Sequence, residues 1–343
     1  MMLFILLPQE VILQVFQCLE PAESRSLIDL LKTDLPNSNA QRAINLLYAR
    51  LYLGHTVLGA GGKALRYYNV SITPSQVLEL AKDSNFLANV PKELEMTFVR
   101  HVRDYINFQQ NLADLREILK SEWAPKYLSK VQLLSLNING RSITTENPTL
   151  MPALVLSTLI ELTRHSSANF RSIRLKSADI GDLLPHKWGK VLGGFVLVQE
   201  LSLEDNKLRL ELAVGHEPLL ERYFEWPPQL RVLSLSRNYL QHFRVGAFNK
   251  LPQTLEVLDL SQNLLECIGL PYDQTFTLVD KLPKLRILNL SLNSHLVLVD
   301  PNLFVGASKL EVSIEGCNVC DGHLETLIQS ANRNGVRLVT DLA

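Results

Sequence analysis

The residues best suited to chemistry are Cys317-x-x-Cys320-x-x-His323, three candidate zinc ligands within seven positions. A closed zinc site takes four such ligands, and no second half-site follows at the usual spacing. Gly59-Ala-Gly-Gly-Lys63 has the glycines and lysine of a phosphate loop, but its spacing is short and Ala64 stands where a magnesium-binding hydroxyl belongs. His216-Glu217 lacks the second histidine of a metalloprotease helix, and no Gly-x-Ser-x-Gly occurs. The eight histidines are scattered, without a serine or cysteine partner in a recognisable arrangement. The expectation is a protein that is not an enzyme, with no cofactor and no bound metal. A packing role for Cys317 and Cys320 is the plainer reading.

The elements that would position any site are repeats. Val198-Gln-Glu-Leu-Ser-Leu-Glu-Asp-Asn206, Leu230-Arg-Val-Leu-Ser-Leu-Ser-Arg-Asn238, Leu255-Glu-Val-Leu-Asp-Leu-Ser-Gln-Asn263 and Leu285-Arg-Ile-Leu-Asn-Leu-Ser-Leu-Asn293 overlay residue for residue. Each reads apolar-x-x-Leu-x-Leu-x-x-Asn, the leucine-rich-repeat frame. Leucines two apart share one face of a short strand and enter the core. The asparagine is expected to bond backbone groups that stacked coils would otherwise leave unpaired. Further copies start at 131, 170 and 309, with Ala178 and Cys317 in the asparagine place, and a last strand is expected at Val336–Val339.

These spacings imply an α/β leucine-rich-repeat solenoid, right-handed and curved, with a parallel inner sheet around Leu134, Leu201, Leu233, Leu258 and Leu288. Apolar spacing predicts helices over Leu150–Arg164, Asp321–Ala331, Leu112–Leu119 and Gln76–Ala81, the last started by Thr73-Pro74. Leu94–Val99 alternates like a strand, so the array is expected to begin near residue 91. Gly246–Leu251 and Pro301–Val305 read as tight 3₁₀ turns, and Arg141–Pro152 as a loop.

The expected division is a helical segment over 1–55, a connecting region over 56–90 and the repeats over 91–343, clearest over 129–320. With 46% apolar and 20% charged residues the 343-residue chain can fill a large core. A net charge of −1 gives no electrostatic reason to expect nucleic acid or an anionic membrane as partner. The four cysteines lack the paired clusters that cap many secreted repeats, which suggests a reducing compartment, cytoplasmic or nuclear. The apolar start Met1–Leu7 has no basic flank and ends at Pro8, unlike a signal peptide.

Leu7-Pro8-Gln9-Glu10-Val11-Ile12-Leu13-Gln14-Val15-Phe16-Gln17-Cys18-Leu19-Glu20-Pro21 resembles the opening of an F-box. That family's pattern is Leu-Pro-x-Glu, then apolar residues at helical spacing, then leucine and often proline. Pro8 suits a first helical turn, and Glu10 suits the positive end of the helix dipole. The Val-Cys-x-x-Trp segment of many F-boxes is absent, with Leu35-Pro36 and Leu47–Tyr52 in its stead.

The resemblance, to short N-terminal F-box proteins with leucine-rich repeats, implies a substrate receptor of an SCF-type ubiquitin ligase. In that reading Leu7, Pro8, Val11, Ile12, Val15, Phe16 and Leu19 dock a Skp-type adaptor on a cullin scaffold, and the repeats hold a protein target. The receptor would be a monomer within that complex. A helical cap on the first coil is the alternative for the N-terminal segment, and a ligase-independent scaffold or regulatory binding protein the alternative for the chain. For the target, Arg174, Lys176, Glu204, Asp205, Arg237 and Asp259 stand at repeat positions that need not serve the core. A solvated salt-bridge ladder and a docking patch both fit their mixed charges.

Overall fold

The computed structural model describes residues 57–58, 64–65, 69–82, 93–99, 105–131, 133–139, 150–164, 170–182, 190–209, 224–243, 245–269 and 277–341. The Leu7–Leu19 segment, Gly59–Lys63 and His216-Glu217 lie outside them. Chain contacts define two units, one of Met1–Thr97 with Gln109–Ser135, the other of Phe98–Phe108 with Leu136–Ala343.

In the first unit β1 (Val57–Leu58) and β2 (Ala64–Leu65) form an antiparallel pair. Strand β3 (Asn69–Ile72) leads through α1 (Pro74–Leu80) to β4 (Glu93–Val99), and β3 and β4 pair in parallel. A parallel strand thus lies inside the region expected to be a connector. Pro74 opens α1, where its missing N–H costs no hydrogen bond. Helix α2 (Tyr105–Lys120) extends well beyond the expected Leu112–Leu119, and α3 (Trp123–Leu128) follows it. The Ser75 hydroxyl bonds Asn111 Oδ1 at 2.9 Å and also Asp114, tying α1 to α2. Strand β5 (Leu133–Asn139) starts in this unit, with Leu134 completely buried, and continues into the second, where Leu136 and Ile138 are completely buried.

In the second unit α4 (Leu150–Arg164) has its expected bounds, so Leu150–Pro152 begin a helix and do not belong to a loop. The repeat strands follow: β6 (Phe170–Lys176), β7 (Glu200–Ser202) and β8 (Val232–Ser234). Between them and the later coils lie β9 (His242–Phe243), α5 (Val245–Lys250), β10 (Val257–Asp259) and β11 (Cys267–Ile268). Helix α6 (Leu278–Lys281), β12 (Ile287–Asn289), β13 (Leu298–Val299), β14 (Glu311–Ser313), α7 (Asp321–Asn334) and β15 (Arg337–Val339) complete the order.

Strands β6, β7, β8, β10, β12, β14 and β15 are neighbours in one parallel sheet, so each coil adds one strand beside the last. Their register places Leu201, Leu233, Leu258, Leu288 and Val312 in one row, each at most 1% exposed. Strands β9, β11 and β13 form a second small parallel sheet that the apolar pattern did not announce.

Two local readings need correction. Residues 245–250 form an α-helix, not a 3₁₀ turn, whereas Pro301–Phe304 is 3₁₀ as expected. In the coil starting at 309 the frame assigns Lys309 to the apolar place, yet Lys309 is exposed and Leu310 is buried. A lysine ammonium cannot be buried unpaired at tolerable cost, so the next residue turns inward. Helix α7 runs to Asn334, past the expected Ala331, and stops where Gly335 takes φ 71°.

Candidate functional site

The scaffold of the site is a ladder of asparagine amides. Asn206, Asn238, Asn263 and Asn293 donate to the leucine carbonyl of the preceding coil: Leu175, Leu203, Leu235 and Leu260, at 2.6, 3.0, 3.0 and 3.0 Å. Their Oδ1 atoms accept backbone N–H groups of that coil: Ala178, Asn206 with Leu208, Leu240, and Asn263 with Leu265. One amide therefore satisfies both a donor and an acceptor of its neighbour, which no apolar residue could do.

Cys317 takes the same place with a thiol. Its Sγ donates to Leu290 O at 3.2 Å, repeating the backward bond. Burial raises its pKa, so it stays a protonated donor and a poor metal ligand. His323 Nε2 lies 2.7 Å from Val299 O. Among the described residues no three His, Cys, Asp or Glu side chains gather into a metal-holding group.

The residue before each asparagine has a conformation that composition did not suggest. Ser177, Asp205, Arg237, Gln262 and Leu292 have φ between 51° and 60°, and Gly316 has 67°. Left-handed backbone costs a non-glycine residue roughly 1–2 kcal/mol. The geometry lets the five N–H groups donate to the next coil, at Glu204 O, Ser236 O, Ser261 O, Ser291 O and Glu315 O. Leu292 is 56% exposed, with no burial to recommend its side chain. Leu292→Asn should raise unfolding free energy by up to about 1 kcal/mol, since asparagine tolerates this region better. Thermal denaturation reads the change, and an unchanged or lower midpoint would contradict it.

Three of the six expected target-site residues meet at one carboxylate. Lys176 Nζ lies 2.7 Å from Glu204 Oε1, and Arg237 reaches the same oxygen from the other side at 3.5 Å. Arg237 Nε also donates to Gln262 Oε1 at 3.0 Å. Arg174 stands 3.9 Å from Glu200, with both side chains about half exposed. Asp205 accepts from the Ser177 hydroxyl at 2.6 Å. Glu204 is thus the hub of a network across three coils. Asp259 is engaged separately, accepting from Ser234 Oγ at 3.2 Å and Ser261 N at 3.0 Å.

The expected set leaves out the apolar side chains in the row just before the leucines. Val232, Val257 and Ile287 are in-register neighbours on β8, β10 and β12. The valines are half-buried and Ile287 is 41% exposed. An apolar stripe therefore crosses these strands, with Glu200 on β7 and Glu311 on β14 at its two ends in the same row. At the start of the same strands Arg231 makes a bidentate pair with Glu256, at 2.9 and 3.0 Å, and this guanidinium holds the Glu256 carboxyl below its ordinary pKa.

A family model agrees with the repeats. Residues 228–270 match the leucine-rich-repeat family model. The chain thus carries leucine-rich repeats, in a fold with a parallel strand sheet and mixed α/β content. Among solved structures it is similar to the leucine-rich repeat-containing protein LegL7 from Legionella pneumophila, at 15% identity and a TM-score of 0.39 over 75% of this chain and 78% of that one. It is also similar to TLR13 in its complex with ssRNA13, at 16% identity and a TM-score of 0.29. That match covers 68% of this chain and 38% of TLR13. No curated protein matches in sequence. No described helix is long and apolar enough to cross a membrane.

Proposed function

We propose that the chain is a non-catalytic substrate receptor of an SCF-type ubiquitin ligase. The N-terminal segment docks a Skp-type adaptor, and through it a cullin, while the repeat strands hold a protein target. One observation carries the target-binding half: an apolar stripe, Val232–Val257–Ile287, flanked in the same register row by Glu200 and Glu311, with the Lys176–Glu204–Arg237 network on neighbouring coils. An apolar centre with a polar, charged border is the make-up of a protein-binding patch. The ligase half rests on Leu7-Pro8-Gln9-Glu10 and the apolar positions after it. The division into 1–55, 56–90 and 91–343 belongs to the same proposal, as do a cytoplasmic or nuclear location and a single copy within the complex.

The adaptor contact is tested by truncation. Ile12→Ala or Phe16→Ala should weaken adaptor affinity by roughly 2 kcal/mol or more, because central anchors dominate such interfaces. Titration calorimetry with the purified adaptor reads this, and unaltered affinity in both variants would remove the segment from the contact.

The target contact is tested by charge. Arg174→Glu combined with Lys176→Glu should lower target capture, more so at low salt, because rim charges govern encounter and its salt dependence. The cost in thermal stability should come mainly from the partly buried Lys176–Glu204 pair, since a half-exposed pair such as Arg174–Glu200 contributes only about 0.2–1 kcal/mol. Capture that withstands these reversals and changes at Arg237 and Asp259 would place the target elsewhere on the chain.

A further inference from the structure

The small sheet of β9, β11 and β13 carries a pair of groups that the repeat architecture does not use. In each of these strands the second residue, Phe243, Ile268 or Val299, is buried, while the first, His242, Cys267 or Leu298, is partly exposed. Parallel register places Cys267 between His242 and Leu298. Cys267 Sγ lies 3.9 Å from His242 Nδ1, within reach of a sulfur hydrogen bond. A neutral imidazole with its proton on Nε2 presents Nδ1 as an acceptor, and a thiol is a weak donor to it.

The described cysteines are Cys267, Cys317 and Cys320, and none is in a disulfide. Cys317 donates to Leu290 O, and burial keeps its thiol protonated. Cys320 is exposed and begins α7 without a side-chain bond to the helix. Among the described residues, Cys267 alone has an imidazole within hydrogen-bonding reach. The other titratable groups described around this sheet stand outside the row of the pair. Glu266, one residue before Cys267, is exposed; Asp300 is buried and accepts from Asn302 N; His323 of α7 has Nε2 2.7 Å from Val299 O.

We propose that Cys267 is a site of reversible S-thiolation by a low-molecular-weight disulfide, with His242 as the base that receives the thiol proton. The proton passes from Sγ to Nδ1, the thiolate attacks one sulfur of the disulfide, and that S–S bond breaks. The other half leaves as a thiolate with the bonding pair and takes the proton from the imidazolium. Cys267 is thereby oxidised to a mixed disulfide and half of the reagent is reduced to a thiol. The row has room for an adduct on its solvent side, where Val297, beside Leu298, is 45% exposed. The site stands whether or not the ligase reading does, because neither residue belongs to the adaptor or target sets.

The size of the effect follows from thiolate supply. An ordinary thiol, with a pKa of about 8.5, is only a few per cent thiolate at neutral pH. Full ionisation would raise that by roughly thirtyfold, and the lower nucleophilicity of a less basic thiolate takes back part, leaving about tenfold.

The test incubates the folded full chain with glutathione disulfide and maps modified cysteines by peptide mass spectrometry. His242→Gln should slow modification of Cys267 about tenfold and leave the rate at Cys320 unchanged, with circular dichroism confirming the fold. From about pH 7.5 to about pH 6.5 the wild-type rate at Cys267 should fall by less than about threefold, whereas the variant, whose thiol ionises unaided, should lose about tenfold. The wild-type profile needs no variant, so it decides the matter even if His242→Gln does not fold. Modification of Cys320 with none at Cys267, a Cys267 rate indifferent to His242→Gln, or a tenfold wild-type fall over that pH step would each overturn the proposal.

Discussion

Replacing Asn293 by alanine should destabilise the protein by on the order of 4 kcal/mol, among the largest effects of any single side chain in the repeats. Asn293 is fully buried. It donates to Leu260 O at 3.0 Å and Leu290 O at 2.6 Å, and it accepts from Asn263 N at 3.1 Å and Leu265 N at 3.2 Å. Alanine would leave the N–H groups of Asn263 and Leu265 without that acceptor, while Leu260 O keeps Asn263 Nδ2 and Leu290 O keeps the Cys317 thiol; each buried unsatisfied group costs about 1–3 kcal/mol. Stacked coils contact only their neighbours, so the damage should be local before it is global. Amide exchange should quicken first at Asn263 and Leu265 and stay slow around Leu175. A loss below about 1 kcal/mol, or uniform quickening, would mean that the ladder is not what ties the coils.

The second large effect is expected at Leu258. Its side chain is fully buried, on a strand between Leu233 and Leu288 in register. Leu258→Ala removes methyl groups from a core shared by three coils, and such cavities cost roughly 2–5 kcal/mol. Denaturant titration reads the loss, provided the transition remains cooperative. Ile287→Ala, on the exposed face of the next strand, is the matched control. It should cost far less stability while weakening target capture through the apolar stripe.

How much of this was legible in the sequence differs by element, for physical reasons. The asparagine ladder could be read because only an amide offers donors and an acceptor at one point, so the residue type betrays the geometry. The leucine row could be read because strand periodicity fixes which side chains turn inward. The left-handed residues could not: Ser177, Asp205, Arg237, Gln262 and Leu292 share no side-chain property, and their conformation is held by inter-coil backbone bonds. Gly316, at the same place in its coil, was the one available signal. Strands β9, β11 and β13 are two residues each, too short for any period to register.

In the candidate site, position in the repeat was enough to select Lys176, Glu204 and Arg237. Their joining through one carboxylate depends on side-chain reach across coils, which a linear reading does not contain. The apolar stripe was missed because valine and isoleucine in a strand look like core until the register turns them outward.

The proposed receptor role makes its most direct claim about two separable ends of one chain. The measurement is co-purification of the tagged full-length chain, and of its Arg174→Glu, Lys176→Glu variant, with adaptor, cullin and target quantified together. The account predicts that both forms bring down a Skp-type adaptor and cullin in equal amounts, and that the variant alone loses target. A chain whose repeats are folded, shown by a cooperative thermal transition, but which recovers no adaptor would contradict the ligase assignment and leave a repeat scaffold in its place.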